Sequence, residues 1–423
     1  MVVQLTDFKL YAIETRTGLI GPYLEPKSLS WSIGINQTET IEVELSKANI
    51  PNLSYNKRYL RPNWGGFVLF FRSTPIVAGP IIAIQEETRT SIKLSARGIR
   101  YLFTRRNPVP DMSNWYHLND NDYRAVWSTD TPRGADDPKL SVNVPDIRNS
   151  RYYNQSYGHM AKLVVEDSLL KEGGSLPIRF DHASTERDFS DDKDIENVWD
   201  ATDPNRPHYL RLRGVDGSVT VDSVLENLSS DKQYSPDILF KPKLHEDGNK
   251  IYWDMYTGVG KENQTDIPSH NHKMLWDTTT PGSSVSQVSI QSSGINQVNR
   301  SFGQGSGDAS YMHMVQNRRA FQENWPLLEA YNSPDQSNDR GKIQEKARAI
   351  LKQDSDPREQ ISLNIRADHP DYPLGTYSPG EYAEVVLDGS WITMPPGRHR
   401  VKIMEMSGDL SNDISIAFKG EDE

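Results

Sequence analysis

The 423-residue sequence contains no cysteine, which removes disulfide bridges, thiolate catalysis and cysteine-ligated zinc together. Packing and hydrogen bonds must hold the fold, as suits folding in a reducing cytosol. A basic excess is also missing: 58 acidic residues against 47 basic ones give a net charge of −11. A sequence-independent nucleic-acid binder needs a basic face to release counterions, so no specific nucleic-acid binding is expected. Long apolar runs are absent as well. No stretch approaches the roughly eighteen residues that span a bilayer, and MVVQLTDFKLYAIETRTG at the start does not read as a signal peptide. Stable membrane insertion is therefore not expected.

Aliphatic residues are scarce. The hydrophobic share is 35 % while the aromatic share is an ordinary 9 %, a pattern that suits several small β domains joined by long polar loops. It also suits a chain that completes its burial against neighbouring subunits. The length predicts two to four domains.

Residues 1–104 read as consecutive strands. Trp31, Ile33 and Ile35 alternate with polar neighbours, as do Ile41, Val43 and Leu45 with Glu42 and Glu44 between them; such alternation buries one sheet face. FVLFFRSTPIVAGPIIAIQEE at 67–87 gives two apolar strands around a turn at Arg72–Pro75. Gly79 and Pro80 predict a bulge or bend in the second of them. Ile92, Leu94 and Ala96 add a strand, and the whole reads as a small antiparallel barrel or curled sheet.

Residues 105–157, broken by prolines, and the charged stretch 181–206 read as long loop insertions. A helix is expected at 158–172, with Met160, Leu163, Val164 and Leu170 on one face, Ser156 as cap and Gly173 ending it. A second is expected at 221–229, capped by Thr220, with Asp222 complementing its dipole. LFKPKLHEDGNKIYWDMYTGVG at 239–260 reads as a hairpin with a type I′ turn at Asp247-Gly248. A third helix at 341–353 carries Ile343, Ala347, Ile350 and Leu351 as its apolar stripe. Strands resume from Ile361, with Val385–Leu387, Trp391, Val401, Ile403, Ile414, Ile416 and Phe418 making a second small barrel. The predicted fold class is α+β, predominantly β: two barrel-like domains flanking a mixed middle with long insertions. The division is 1–104, 105–235, 236–330 and 331–423.

Several strings carry chemistry in other settings. His270 and His272, with Asp266 and Asp277 nearby, share a metal only if a third ligand converges, and they read as loop histidines. Asp191, Asp192, Asp194 and Glu196 read as a solvated charge run rather than a glycosidase pair. Asn119–Asp122 lacks the glycine and distal glutamate of a calcium loop. No nucleophile elbow occurs; the Gly-rich string at 303–307 does not sit between a clear strand and helix, and that at 258–261 lacks the spacing and following Ser or Thr of a phosphate loop. No catalytic residue, metal or cofactor is therefore expected. Trp115, Tyr116, Tyr123 and Trp127 crowd the first insertion, joined by Tyr152 and Tyr153. They are candidates for partner or glycan contact, or for pinning the loop on its own domain.

The N-terminal strands closing on ARGIRYLFTRR at 96–106, the 239–260 hairpin, and VSIQSSGINQVNRSFGQGSG at 288–307 follow one another in a familiar order. So do WPLLEAYNSPDQSNDRGKIQEKARAILKQ at 325–353 and DHPDYPLGTYSPGEYAEVVL at 368–387. Together they resemble the tail-tip hub proteins of long-tailed siphophages, the Gp37-like minor tail proteins, themselves similar to the baseplate hub of contractile tails. The resemblance implies a homotrimer whose barrel-like domains imitate the sixfold tail tube. The implied partners are the distal tail protein ring, the tape measure protein and downstream minor tail or receptor-binding proteins. It implies a virion location at the tail tip after synthesis in the host cytoplasm, and a non-enzymatic role in genome ejection and host attachment. A tail-associated cell-wall hydrolase and a carbohydrate-binding adhesin are the alternatives.

Overall fold

A computed structural model describes residues 7–108, 149–153, 157–171, 173–183, 209–213, 219–230, 236–258, 274–280, 283, 285–304, 312–317, 322, 325–331, 340–355 and 358–420. The chain opens with β1 (Phe8–Glu14), β2 (Ile20–Leu24), β3 (Pro26–Gly34) and β4 (Thr40–Ser46). Short helical turns at 47–60 lead to β5 (Gly65–Phe71), β6 (Thr74–Glu87), β7 (Ser91–Arg97) and a 3₁₀ helix at Ile99–Arg105. The middle holds β8 (Asn149–Tyr153), α1 (Tyr157–Leu169), β9 (Ile178–His182), β10 (Tyr209–Arg213), α2 (Val221–Ser230), β11 (Asp237–Leu244) and β12 (Ile251–Gly258). Then come β13 (Met274–Asp277), β14 (Val285–Ser293), β15 (Arg300–Gln304), β16 (Met312–Gln316), β17 (Glu329–Tyr331) and α3 (Arg340–Asp354). β18 (Arg358–Arg366), β19 (Tyr382–Leu387), β20 (Gly397–Gly408) and β21 (Asp413–Gly420) complete it.

The fold is predominantly β, and its two β-rich ends form one sheet. Hydrogen bonding runs β14-β18-β21-β20-β3-β4-β7-β6-β5-β1-β2, with β19 on the side of β20 and β13 beyond it. The join is the antiparallel ladder between β20 and β3, where Met406 faces Ile33 and Gly408 faces Trp31. The strands of the two expected barrel-like regions thus lie in one sheet, together with β13 and β14 from the 236–330 stretch, and the path of that sheet stays open among the described residues.

Local chemistry explains the first half. Trp31, Ile33, Ile41, Val43, Leu45, Ile92, Leu94 and Ala96 all turn inward, as their alternation predicts. The run Phe67–Phe71 is buried on both faces: Phe67, Leu69 and Phe71 enter the main core, and Val68 and Phe70 a second core on the sheet's other side. β6 bends at the expected place. It pairs with β5 as far as Pro80 and with β7 from Ile81 onward. Gly79 allows the bend, because a Cβ there would lie 1.8 Å from the Arg97 carbonyl oxygen. The β5–β6 turn needs only Arg72 and Ser73 between paired Phe71 and Thr74, with Arg72 in the left-handed region.

The second core seats the middle of the chain on the sheet. Met160 and Val164 of α1, Val221, Val224, Leu225 and Leu228 of α2, and Phe240 and Trp253 of β11–β12 pack beneath β5 and β6. The Thr220 hydroxyl accepts the Ser223 backbone N–H at 3.1 Å, giving α2 its expected cap. Gly173 takes the left-handed conformation after α1, but the helix stops earlier, and Leu170, expected on its apolar face, is outside it and exposed. The expected Ser156 cap lies outside the described residues. α3 forms as predicted, with Ile343 and Ala347 buried, and covers one face of the small β16-β15-β17 sheet.

Three other expectations are corrected. Asp247-Gly248 is not a two-residue type I′ turn: a longer loop is closed by His245 N–H to the Lys250 carbonyl at 2.8 Å, with Gly248 N–H donating to the His245 carbonyl at 2.9 Å. Trp391 lies in the connection between β19 and β20 and packs on the core from there. The ends of the two supposed loop insertions are partly extended: β8 pairs with β10, and β9 lies parallel to β12.

Candidate functional site

Three parts of the chain meet at a seam: the β3–β4 turn, β11, and the 374–381 connection before β19. Asn36, in the left-handed conformation at the turn, is the clasp. Its backbone N–H donates to the Ile238 carbonyl at 2.9 Å, and its side-chain oxygen accepts the Ile238 N–H at 2.8 Å. Asparagine tolerates this backbone region better than most residues. Lys402 of β20 pairs with Asp237 at the same junction. A cleft of about 430 Å³, counting the part open to solvent, lies here, lined by Ile33, Glu39, Ile76, Lys241, Tyr377 and Ser378 among others.

The seam collects charge in a largely apolar setting. Glu39 is buried, and burial pushes its carboxyl up to about 7, although a bond from its own backbone and the Arg100 guanidinium pull the other way. Its Oε2 has no hydrogen-bond partner among the described residues and rests against Gly98, where a Cβ would lie 1.6 Å away. Arg100, itself buried, donates through Nε to Asp222 at 2.6 Å. Asp222, expected only to complement the α2 dipole, is therefore also half of a buried ion pair that ties α2 to the 3₁₀ helix.

β11 and β12 put a polar ladder on the face turned away from the second core. Lys241 lies opposite Asp254, and Asp254 accepts from Lys243 at 2.6 Å and contacts His182 Nδ1 at 2.5 Å through the same oxygen. His182 stacks on Tyr256 with centroids 4.6 Å apart. Burial lowers the pKa of Lys241, against the pull of Glu381. Burial is also the largest single influence on Lys243 and pulls it down, but Asp254 and Tyr256 together outweigh it and its pKa is raised. Burial raises Tyr377.

Lys241 donates to the Ser378 hydroxyl at 2.5 Å. A serine beside a lysine with a lowered pKa has the form of a nucleophilic dyad. Ser378 is only 5 % exposed, so the bond ties strand to connection rather than offering a nucleophile. Among the described residues no group of three or more His, Asp or Glu is placed to hold a metal.

The candidates read from sequence fall elsewhere. Trp115, Tyr116, Tyr123 and Trp127 lie outside the described residues, as do His270, His272, the 191–196 carboxylates and Asn119–Asp122. Asp277 binds the Thr279 and Thr280 hydroxyls at 2.7 and 2.6 Å in its own turn, which holds its carboxyl down at about 2. The seam residues were not singled out by sequence. A signal existed: alternation in Leu239–Leu244 places Lys241 and Lys243 on one face, and the hairpin register then sets Asp254 across from them.

No family model matches the chain, and no curated protein matches it in sequence. Its fold does match solved structures. The tail protein from Neisseria meningitidis MC58 is 10 % identical, with TM-score 0.50 over 98 % of this chain and 97 % of that one. The 43 kDa tail protein of prophage MuSo2 from Shewanella oneidensis is 8 % identical, with TM-score 0.53 over 98 % of each. A chain of the half-lidded Francisella PdpA–VgrG complex is 12 % identical, with TM-score 0.52 over all of this chain and 58 % of that one. The chain therefore shares the fold of these two tail proteins and of a chain of the PdpA–VgrG complex.

Proposed function

We propose that the chain is a structural subunit of a phage tail, working at the tail tip as a hub of three copies. What supports this is the extent of the likeness: it runs over the whole chain and nearly the whole of two tail proteins, so the entire architecture is shared rather than one β module. The two halves of the sheet, one from 1–104 and the other from β18–β21 with β13 and β14, would alternate around the ring, three chains supplying six lobes to meet a sixfold tube. The distal tail protein ring would sit above, the tape measure protein would end in the hole, and receptor-binding proteins would hang below. The role is mechanical: to adapt symmetry, hold the tip together and gate DNA. Its location would be the virion of a siphophage, after synthesis in the host cytoplasm, and no enzymatic step is assigned to it. An acidic bore would repel DNA and keep it from sticking. Negative-stain averages of the purified chain test the reading. Rings with six similar lobes around a hole support it, and compact single-chain particles speak against it.

A further inference from the structure

The connection from β4 to β5 turns an unusual set of side chains outward. Leu53, Tyr55 and Trp64 are 37 %, 57 % and 40 % exposed. Among them Arg58 lies over the rings of Tyr55 and Tyr59 at 4.5 and 4.8 Å. It also donates to both hydroxyls, at 2.9 and 3.0 Å. Tyr59 is anchored in the main core, so the guanidinium is held in place before any partner arrives and little rotamer freedom remains to be lost on docking. Exposed Lys57 and Arg61 flank it. Among the described residues none of these three cations forms a salt bridge with a carboxylate. Arginine, tyrosine and tryptophan gathered on one patch are the residue types that dominate binding energy at protein interfaces.

Opposite charge gathers elsewhere on the same chain. Asp368 and Asp371 lie in the β18–β19 connection just past Arg366, which pairs with Asp413, and Asp409 and Asp413 flank the β20–β21 turn; the cation Arg366 is already bound by Asp368 at 2.8 Å. This lobe is stiff: Ala367 N–H donates to the Asn412 carbonyl at 2.7 Å, and the Asn412 amide donates to Asp368 at 2.7 Å. The connection that carries the first patch leaves the sheet at the end of β4 and returns to it at the start of β5, and the acidic lobe lies past the ends of β18 and β20. β4 ends beside the start of β3, where Leu45 faces Pro26, and β20, with Gly408 facing Trp31, runs out into Asp409 toward that same end of β3.

Chains of net charge −11 repel one another at long range, so association needs a local reversal of sign. A ring further needs heterologous contacts, in which one patch meets a different patch on the next copy. We infer that the Tyr55–Arg58–Trp64 patch of one copy docks against the Asp371–Asp413 lobe of the next. This rests on the ring reading above and specifies its interface. The occupant of the patch is thus a second copy of this chain.

Reversing charge on each side tests it, with light-scattering mass as the readout and circular dichroism to compare the folds. The chain should have the mass of three copies, whereas Lys57→Glu with Arg61→Glu, and separately Asp371→Lys with Asp413→Lys, should fall to one-copy mass at equal concentration. Combining all four substitutions restores complementarity and should restore the three-copy mass. Tyr55→Ala should raise the concentration needed for assembly by about tenfold or more. Charge-reversed pairs that keep the three-copy mass would overturn this interface and leave the ring standing. An unaltered chain that stays at one-copy mass at high concentration and low salt would contradict the ring, and the interface with it.

Discussion

Met406 of β20 stands opposite Ile33 of β3, and the ladder they share joins the two ends of the chain into one sheet. The Trp31 indole closes over this ladder and donates to the Asp409 carbonyl at 3.4 Å. A Cβ on Gly408 would lie 3.0 Å from the Trp31 ring. The join is therefore a packed part of the core and not a loose contact between separate modules.

Trp31→Ala should cost about 3–5 kcal/mol, as expected for emptying a fully buried aromatic site. Because that site belongs to both halves of the sheet, fluorescence and circular dichroism should report one shared loss in denaturant. Loss confined to one half would show that the halves fold independently.

Gly79→Ala should destabilise the chain by more than about 2 kcal/mol. The added methyl group would strike the Arg97 backbone carbonyl, which cannot move without breaking the β6 corner. The midpoint of urea unfolding measures this, and an unchanged midpoint would mean that the corner is not fixed there.

Glu39 should make stability depend on pH. Its carboxyl is near 7 in the fold and near 4.5 when exposed. Between those values the folded state holds a proton that the unfolded state has released. Stability therefore falls as pH rises from about 4.5 to about 7, by about 3 kcal/mol in all, and this term is flat beyond. Glu39→Gln should remove that slope, read as unfolding midpoints across the window.

Arg100→Ala should cost about 3–5 kcal/mol, because it leaves Asp222 buried and unpaired. Arg100→Met combined with Asp222→Leu should recover most of the loss. Since Arg100 pulls the Glu39 carboxyl down, its removal should also move the end of the pH slope upward. A double variant no better than the single one would show that packing, not the charge, makes the pair matter.

The local parts of this fold were legible in the sequence. Alternation at Trp31–Ile35 and Ile41–Leu45 identified strands and their inward faces, Gly79-Pro80 marked the corner, and Thr220 marked a cap. Those signals act within a few residues of themselves. The β3–β20 ladder did not show, because nothing near Ile33 reports which distant strand will complete its edge. β9 escaped for a related reason: a five-residue strand lying parallel to β12 leaves no turn beside it in sequence. The seam charges were hidden because Glu39, Lys241 and Asp254 read as surface residues until pairing buries them. The whole-chain resemblance to tail hubs depended on the order of such elements, and the fold found is one shared with phage tail proteins.

The central claim, a structural ring of three chains, is tested most directly by the light-scattering mass of the purified protein across a range of concentration and salt. The account predicts the mass of three copies at low salt, dissociating as salt screens the charged interface. A mass of one copy at every concentration would contradict it.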